Sequence, residues 1–277
     1  MKKNTIILLL VLSTTLTFAQ KKDKIKGSKT VTIEQREVGN FESLEVEDNL
    51  EVHLERGEKS EIKIEADDNL HTIISSDLRD NILRIYTTKE AQNYKKLIVR
   101  VTYTKDLNLA TAKNESTISA IQEILLDNLT FKAHDFSQLY LNVNAKNFIL
   151  QVDDKSKTEL NLKSENAIVE LSKNASLKAL VSTIDLKVDL YQKSNATIEG
   201  DATNAILRLD NNSSLTGNKL TIKNADITTE SYSTCSLNAV TTVIIDAAEK
   251  SEIQILGTPK IEIRKFADEA KLIKKLK

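Results

Sequence analysis

Apolar and polar residues alternate at every second position along most of this chain, and through its second half the alternation restarts about every nineteen residues. A small residue marks each restart: Ser116, Ser137, Ser156, Ala175, Ser194, Ser213, Ser233 and Ser251, with gaps of 21, 19, 19, 19, 19, 20 and 18. Eight, six and four places before the mark the side chains are apolar, as in Phe148, Leu150 and Val152 before Ser156, or Ala205, Leu207 and Leu209 before Ser213. This two-residue beat belongs to a strand with one face buried. It resumes beyond the mark, with Leu139 and Leu141 after Ser137, Leu177 and Ala179 after Ala175, and Ile253 and Ile255 after Ser251. Each repeat is therefore expected to hold at least two short strands separated by a corner that accepts only a small side chain. Val143, Leu162 and Val181 point to a third short stretch.

A fixed repeat of this length predicts an all-β solenoid, a parallel β-helix of about 19-residue coils. Nine places before the mark a second column runs Asn128, Asn147, Asn166, Asp185, Asn204, Asn224 and Thr242. Asparagine tolerates corner geometry, and its amide both donates and accepts, so stacked copies are expected to form a ladder. One coil buries too few side chains to offset the entropy of ordering it. Neighbouring coils must supply the rest, which is why the count is kept.

The beat persists outside the counted region. Val31 and Ile33, Leu44 and Val46, Val52 and Leu54, Ile62 and Ile64, Leu83 and Ile85, and Val99 and Val101 alternate without a steady period. Within this part Asp67 to Arg79 reads as a short helix, with Leu70, Ile73, Ile74 and Leu78 on one face. At the other end Phe266, Ala270, Ile273 and Leu276 fall at helical spacing in a lysine-rich tail, which suggests a capping helix. The resulting division is an export signal over 1–19, irregular β-rich coils or a cap over 20–110, a regular β-helix over 111–264, and a basic tail or capping helix over 265–277.

The export signal rests on Lys2 and Lys3 ahead of an apolar run from Ile6 to Leu12, with small Ala19 as the cleavage point. The run is shorter than the ~20 apolar residues of a membrane span, and no second such run follows. Without Lys2 and Lys3, 37 of the 39 basic residues face 40 acidic ones, a net charge of −3. That balance gives no electrostatic reason to expect nucleic acid. One cysteine, Cys235, excludes an internal disulfide, so an exported chain of this kind depends on packing and hydrogen bonds.

Candidate chemistry is sparse. His53 should face solvent, His71 falls in the expected short helix and His134 at a coil corner, too far apart in the repeat to form one site. Cys235 occupies an inward position of its coil, where a buried small hydrophobe is the expectation. Asp67-Asp68, Asp153-Asp154, and Asp246 with Glu249 would bind calcium only if several met at one rim, since that ion takes six or more oxygens. The serine column lacks a recurring histidine and a Gly-x-Ser-x-Gly elbow. No catalytic, cofactor-binding or metal-ligating residue is assigned.

The stretch from Val31 to Thr87 resembles the opening of the head GIN domain family of auto-transporter adhesins. The likeness lies in the Arg36 to Phe41 step, the Val52 to Gly57 strand and turn, the Asp67-Asp68-Asn69-Leu70 segment and the Asn81 to Ile85 return strand. The resemblance implies a right-handed parallel β-helix exported to the envelope, and no catalytic residues to carry over. Two functions follow. The first is a noncatalytic scaffold or adhesin-like module, periplasmic or on the cell surface, whose partner is an envelope or extracellular protein or a glycan. The second is a carbohydrate-binding or carbohydrate-active β-helix, as many polysaccharide lyases are. The nearly constant coil length leaves no inserted loops to wall a cleft, and aromatics are only 4% of the chain, with Tyr140, Tyr191 and Tyr232 in different columns. The scaffold is the favoured expectation.

Overall fold

The computed structural model describes residues 22–275. The expected export segment 1–19, and Leu276 of the tail, lie outside them. Ten strands make the first part: β1 (Lys24–Lys26), β2 (Val31–Glu37), β3 (Ser43–Val46), β4 (Glu51–Arg56), β5 (Glu61–Asp67), β6 (Ile74–Arg79), β7 (Ile82–Thr87), β8 (Glu90–Gln92), β9 (Leu97–Tyr103) and β10 (Leu109–Ala112). Seven long strands follow: β11 (Thr117–Ala133), β12 (Gln138–Val152), β13 (Lys157–Leu171), β14 (Ser176–Leu190), β15 (Asn195–Leu209), β16 (Ser214–Thr229) and β17 (Thr234–Ala247). The last coil is β18 (Glu252–Gly257) with β19 (Lys260–Phe266), and β20 (Lys271–Lys274) begins another. The whole is a β-solenoid of about nine turns.

The periodic columns stack as the sequence requires. β11 to β17 pair in order, all parallel, with Asn147 opposite Asn166 and Leu150 opposite Val169. The expected short strands within a coil are instead one continuous strand of 14 to 17 residues. Its bend comes from a slip in the alternation. Leu139, Leu141, Val143 and Ala145 are buried, then Lys146 and Asn147 both face out, and burial resumes at Phe148, Leu150 and Val152. The slip lets one strand line two walls of the core without breaking its hydrogen bonds.

The break between coils is a two-residue turn. The two residues before each mark both have positive φ, as in Asp154 (48°) and Lys155 (63°), or Asn211 (55°) and Asn212 (61°). Ser156 N–H closes the turn on the Asp153 carbonyl at 3.0 Å, and Lys155 N–H donates to the Lys173 carbonyl of the next turn at 3.0 Å. Positive φ at both central residues is the pattern of a type I′ turn. The marked serines lie inside it, fully buried. Their hydroxyls are engaged there: Ser194 Oγ donates to the Leu171 carbonyl at 3.2 Å and Ser213 Oγ to that of Leu190 at 3.0 Å. A larger side chain would enter the core there, and Ala175, equally buried in the same column, shows that small size is the shared demand.

The asparagine ladder runs along the outside. Asn147 Nδ2 donates to Asn128 Oδ1 at 2.7 Å, Asn166 to Asn147 at 2.9 Å, Asn204 to Asp185 at 2.8 Å and Asn224 to Asn204 at 3.1 Å. Each amide donates towards the preceding coil. The Asp185 carboxylate accepts from above and, having no N–H, offers none to Asn166, so the donor chain restarts there.

The first part caps the stack. β3 and β4 form a coil beneath β10 and β11, with β7 and β9 beneath it in turn. Beyond these the direction reverses, since β5 pairs antiparallel with β9, β2 with β5, and β6 with β7. The expected helix over Asp67 to Arg79 is a 3-10 helix from Asp68 to Ile73 followed by β6. β-Branched Ile73 and Ile74 and the left-handed Asp80-Asn81 pair favour a hairpin over a second helical turn. No C-terminal capping helix is found among the described residues either. Ala267 to Ala270 repeats the coil turn and β20 pairs with β18, so Ala270, nineteen residues after Ser251, is the next mark.

Asp67 fastens the cap. Fully buried, it accepts from the backbone N–H of Lys29 at 2.8 Å and of Lys95 and Lys96 at 3.0 Å. Burial works to raise its carboxyl, but those donors and the nearby Lys29 charge hold it below its usual value.

Leu207→Asp, at a position only 1% exposed, should cost on the order of 4 kcal/mol and broaden the urea transition, while Arg208→Asp should shift it little. Asp67 stabilises the fold above the unfolded carboxylate value of about 3.9, and that contribution is lost as pH falls through its lowered folded value. Melts followed by circular dichroism from about pH 7 to about pH 2 should show Asp67→Asn less stable at neutral pH and less sensitive to acid than the parent.

Candidate binding surface

A solenoid can assemble a site only from outward residues at equal phase in successive coils, or from its ends. The histidines do not converge. His53 Nε2 lies 2.7 Å from Glu51 Oε1, and His134 Nδ1 lies 2.7 Å from Asp153 Oδ1. His71 sits in the 3-10 helix with Nε2 2.9 Å from Thr32 Oγ1 and Nδ1 3.2 Å from Glu34 Oε2. Glu34, bonded by Arg36, is held below the usual carboxylate range.

The paired carboxylates are engaged separately. Asp154 meets Lys173 Nζ at 3.2 Å, Asp246 accepts from Arg264 at 2.6 Å, and Glu249 accepts from Ser231 Oγ at 2.8 Å. Among the described residues no three His, Cys, Asp or Glu side chains are placed to hold a metal ion. Cys235 is buried between Leu215 and Ile253 of the adjoining coils, and burial pushes its thiol up to about 12. It stays protonated and is a poor nucleophile. The tyrosines are dispersed: Tyr140 is on the strand face, while Tyr191 and Tyr232 belong to turns, with Lys250 Nζ 5.7 Å from the Tyr232 ring.

Two surface grooves run across successive coils. The larger, about 930 Å³, is lined by Arg56, Asn108, Leu125, Asn144, Lys146 and Lys163 among others. The wall that starts at Leu125 follows a bulge where the register shifts between Ala120 and Ile124, and Arg56 Nη1 holds the Leu125 carbonyl at 3.2 Å. The sequence signal for this wall was the 21-residue gap between Ser116 and Ser137. The second groove, about 540 Å³, has Leu160 and Ala179 in its floor with Tyr140, Asn142, Asn161 and Leu180 beside them. Asn161 Nδ2 donates to Asn142 Oδ1 at 3.1 Å, a second and shorter amide ladder. The linings keep the nineteen-residue interval, as Leu125, Asn144 and Lys163 do, but the side-chain type changes from coil to coil, so the sequence does not mark these columns.

No helix among the described residues is long and apolar enough to cross a membrane. Residues 40–180 and 157–259 match the family model described as "Putative auto-transporter adhesin, head GIN domain". No curated protein matches the chain. Among solved structures, a "putative adhesin" from Parabacteroides merdae is 15% identical and covers 91% of this chain and 99% of its own, with a TM-score of 0.68. A "putative lipid binding protein" from Parabacteroides distasonis is 11% identical over 91% of this chain and 100% of its own, TM-score 0.63. A "putative adhesin" from the same species is 17% identical over 90% and 99%, TM-score 0.61. At these identities the likeness is one of fold.

Thiol-specific reagents should leave Cys235 unmodified in the native protein at neutral pH and label it on addition of denaturant. Rapid native labelling followed by mass spectrometry would contradict the buried, protonated thiol.

Proposed function

The chain belongs to the head GIN domain family, and from that membership we propose that it is an exported, noncatalytic β-solenoid that serves the cell envelope or cell surface as an adhesin-like binding module. The observation that carries this reading is the uniformity of the coils. Successive marks from Ser137 to Ser251 are 18 to 20 residues apart, so no inserted loop walls off a reaction chamber. No histidine lines either groove, and each is bonded to its own separate partner. What the fold offers is a long, stiff surface with repeating polar columns. Such a surface suits recognition of an extended partner.

Glycan is a second candidate ligand, favoured by one observation. The smaller groove sets the Tyr140 ring beside the Asn142–Asn161 amides, an apolar plate next to paired donors and acceptors.

In native cells, fractionation with N-terminal sequencing should place the mature protein in the envelope or medium and begin it at Gln20. Purified protein should turn over no polysaccharide in a lyase and hydrolase panel. Recovery in the cytoplasm with an intact N-terminus would overturn the export, and sustained turnover would overturn the noncatalytic assignment.

A further inference from the structure

The larger groove begins among Arg56, Lys105 and Asp106 of the first part and crosses successive coils as far as Ser182. Its backbone is spent. The strands along it pair coil to coil, with Leu125 opposite Asn144, Asn144 opposite Lys163 and Lys163 opposite Ser182, and the Leu125 carbonyl also takes Arg56 Nη1. A ligand seated here cannot join as an added strand, so side chains must recognise it.

Some of those side chains are already committed. Lys163 lies 3.7 Å from Glu123, and Asp106 accepts from Thr104 Oγ1 at 3.2 Å. Others are not. Asp127, Lys146 and Glu165 stand one place before the ladder residues Asn128, Asn147 and Asn166 of three successive coils, and with Lys105 they have no side-chain partner among the described residues. Two ammonium groups thus balance two carboxylates. The committed groups, Arg56 and Lys163 against Asp106 and Glu123, leave the sum at zero. A polyanion or a polycation would meet as much repulsion as attraction, so the groove selects neither.

The amide ladder adds a donor. Asn166 donates to Asn147 and Asn147 to Asn128, so this row of aligned amides ends at Asn128, whose own Nδ2 has no acceptor among the described residues. Each link polarises the next, which strengthens the terminal N–H as a donor. It lies in the groove lining next to Asp127, while Lys146 falls between Asp127 and Glu165 in the coil order. Unused donors and unused acceptors therefore alternate at about one coil spacing, ~4.8 Å. A ligand group that gives and accepts at once satisfies both, and a hydroxyl does that. Leu125, 52% exposed in the same wall, supplies an apolar contact. A pyranose ring matches this arrangement, with hydroxyls around its rim and C–H bonds on its face.

We infer that the larger groove is the site of a neutral oligosaccharide that lies along the solenoid axis. One sugar face rests on Leu125, and the hydroxyls accept from Asn128 and Lys146 and donate to Asp127 and Glu165. The inference rests on the reading of the protein as a noncatalytic binding module, and gives that module a ligand class and a place apart from the Tyr140 groove.

The test presents the full mature chain to an array of neutral, uronic, sulfated and sialylated oligosaccharides, then titrates the strongest neutral member by calorimetry. Neutral members should bind, with affinity unchanged between about 50 mM and about 500 mM salt. Asp127→Ala with Lys146→Ala, both at exposed positions, should weaken binding by roughly tenfold or more. Leu125→Ser should weaken it several-fold, Tyr140→Ala should leave it unchanged, and all the variants should keep the parent's melting profile. The inference is overturned if no neutral member binds, if binding is confined to charged members and fades with salt, or if Tyr140→Ala removes binding that the Leu125 and Lys146 variants retain. The last result would move the sugar to the smaller groove. An envelope location with no turnover, alongside any of these three, would leave the wider function standing.

Discussion

Hydrogen bonding between successive coils is the constraint from which the other features follow. A parallel strand in one coil can satisfy its N–H and C=O groups only if the coil above keeps the same phase, residue for residue. The turn must therefore have the same shape each time, and it does: the Lys155, Asn174 and Lys193 N–H groups each donate to the next turn at 2.9 to 3.0 Å. Once phase is kept, like side chains are superposed, and the buried serines, the apolar rows and the outer amides become columns. A coil with residues to spare has to eject them sideways, as the bulge between Ala120 and Ile124 does with two.

Columns were legible in the sequence because each makes a single physical demand at a fixed interval. Buried Leu150, Val169, Val188 and Leu207 need an apolar side chain, and buried Ser156, Ala175 and Ser194 need a small one. The turn was less legible. Its left-handed pairs include Asp135-Phe136 and Ser231-Tyr232, with no glycine among them, because stacked backbone bonds hold a conformation these residues do not favour alone. The bend was also hidden, since a one-residue slip at Lys146-Asn147 looks like a strand end when only the beat is followed.

Both helices inferred near the ends arose from the same ambiguity. Phe266, Ala270 and Ile273 lie three and four apart, as on a helix, yet Phe266 ends β19, Ala270 is a mark and Ile273 faces out of β20. A spacing of three or four also arises where a strand, a tight turn and another strand follow in quick succession. The nineteen-residue count resolves that case, because it reaches Ala270 from Ser251. Leu70, Ile73 and Ile74 have no such count to consult, and packing against the first coils decides between helix and strand. The grooves were harder to read for a further reason: apart from the 21-residue gap beside one wall, their lining is drawn from several coils, and Leu125, Asn144 and Lys163 share a column without sharing a side-chain type.

The glycine-free turn also bears on how such a chain changes length over generations. Joining Val152 directly to Ser172 by deleting residues 153–171 would remove one full coil and carry the strand into an equivalent turn, since Val152 pairs with Leu171 and Asp153 occupies the place of Ser172. The neighbours on either side would meet in unchanged register. Duplication works by the same arithmetic, so gain or loss of whole units is far gentler on this architecture than insertion of one or two residues. A gene encoding it can thus be shortened or extended by recombination between its own repeats, with the length of the solenoid adjusted in steps of about 4.8 Å.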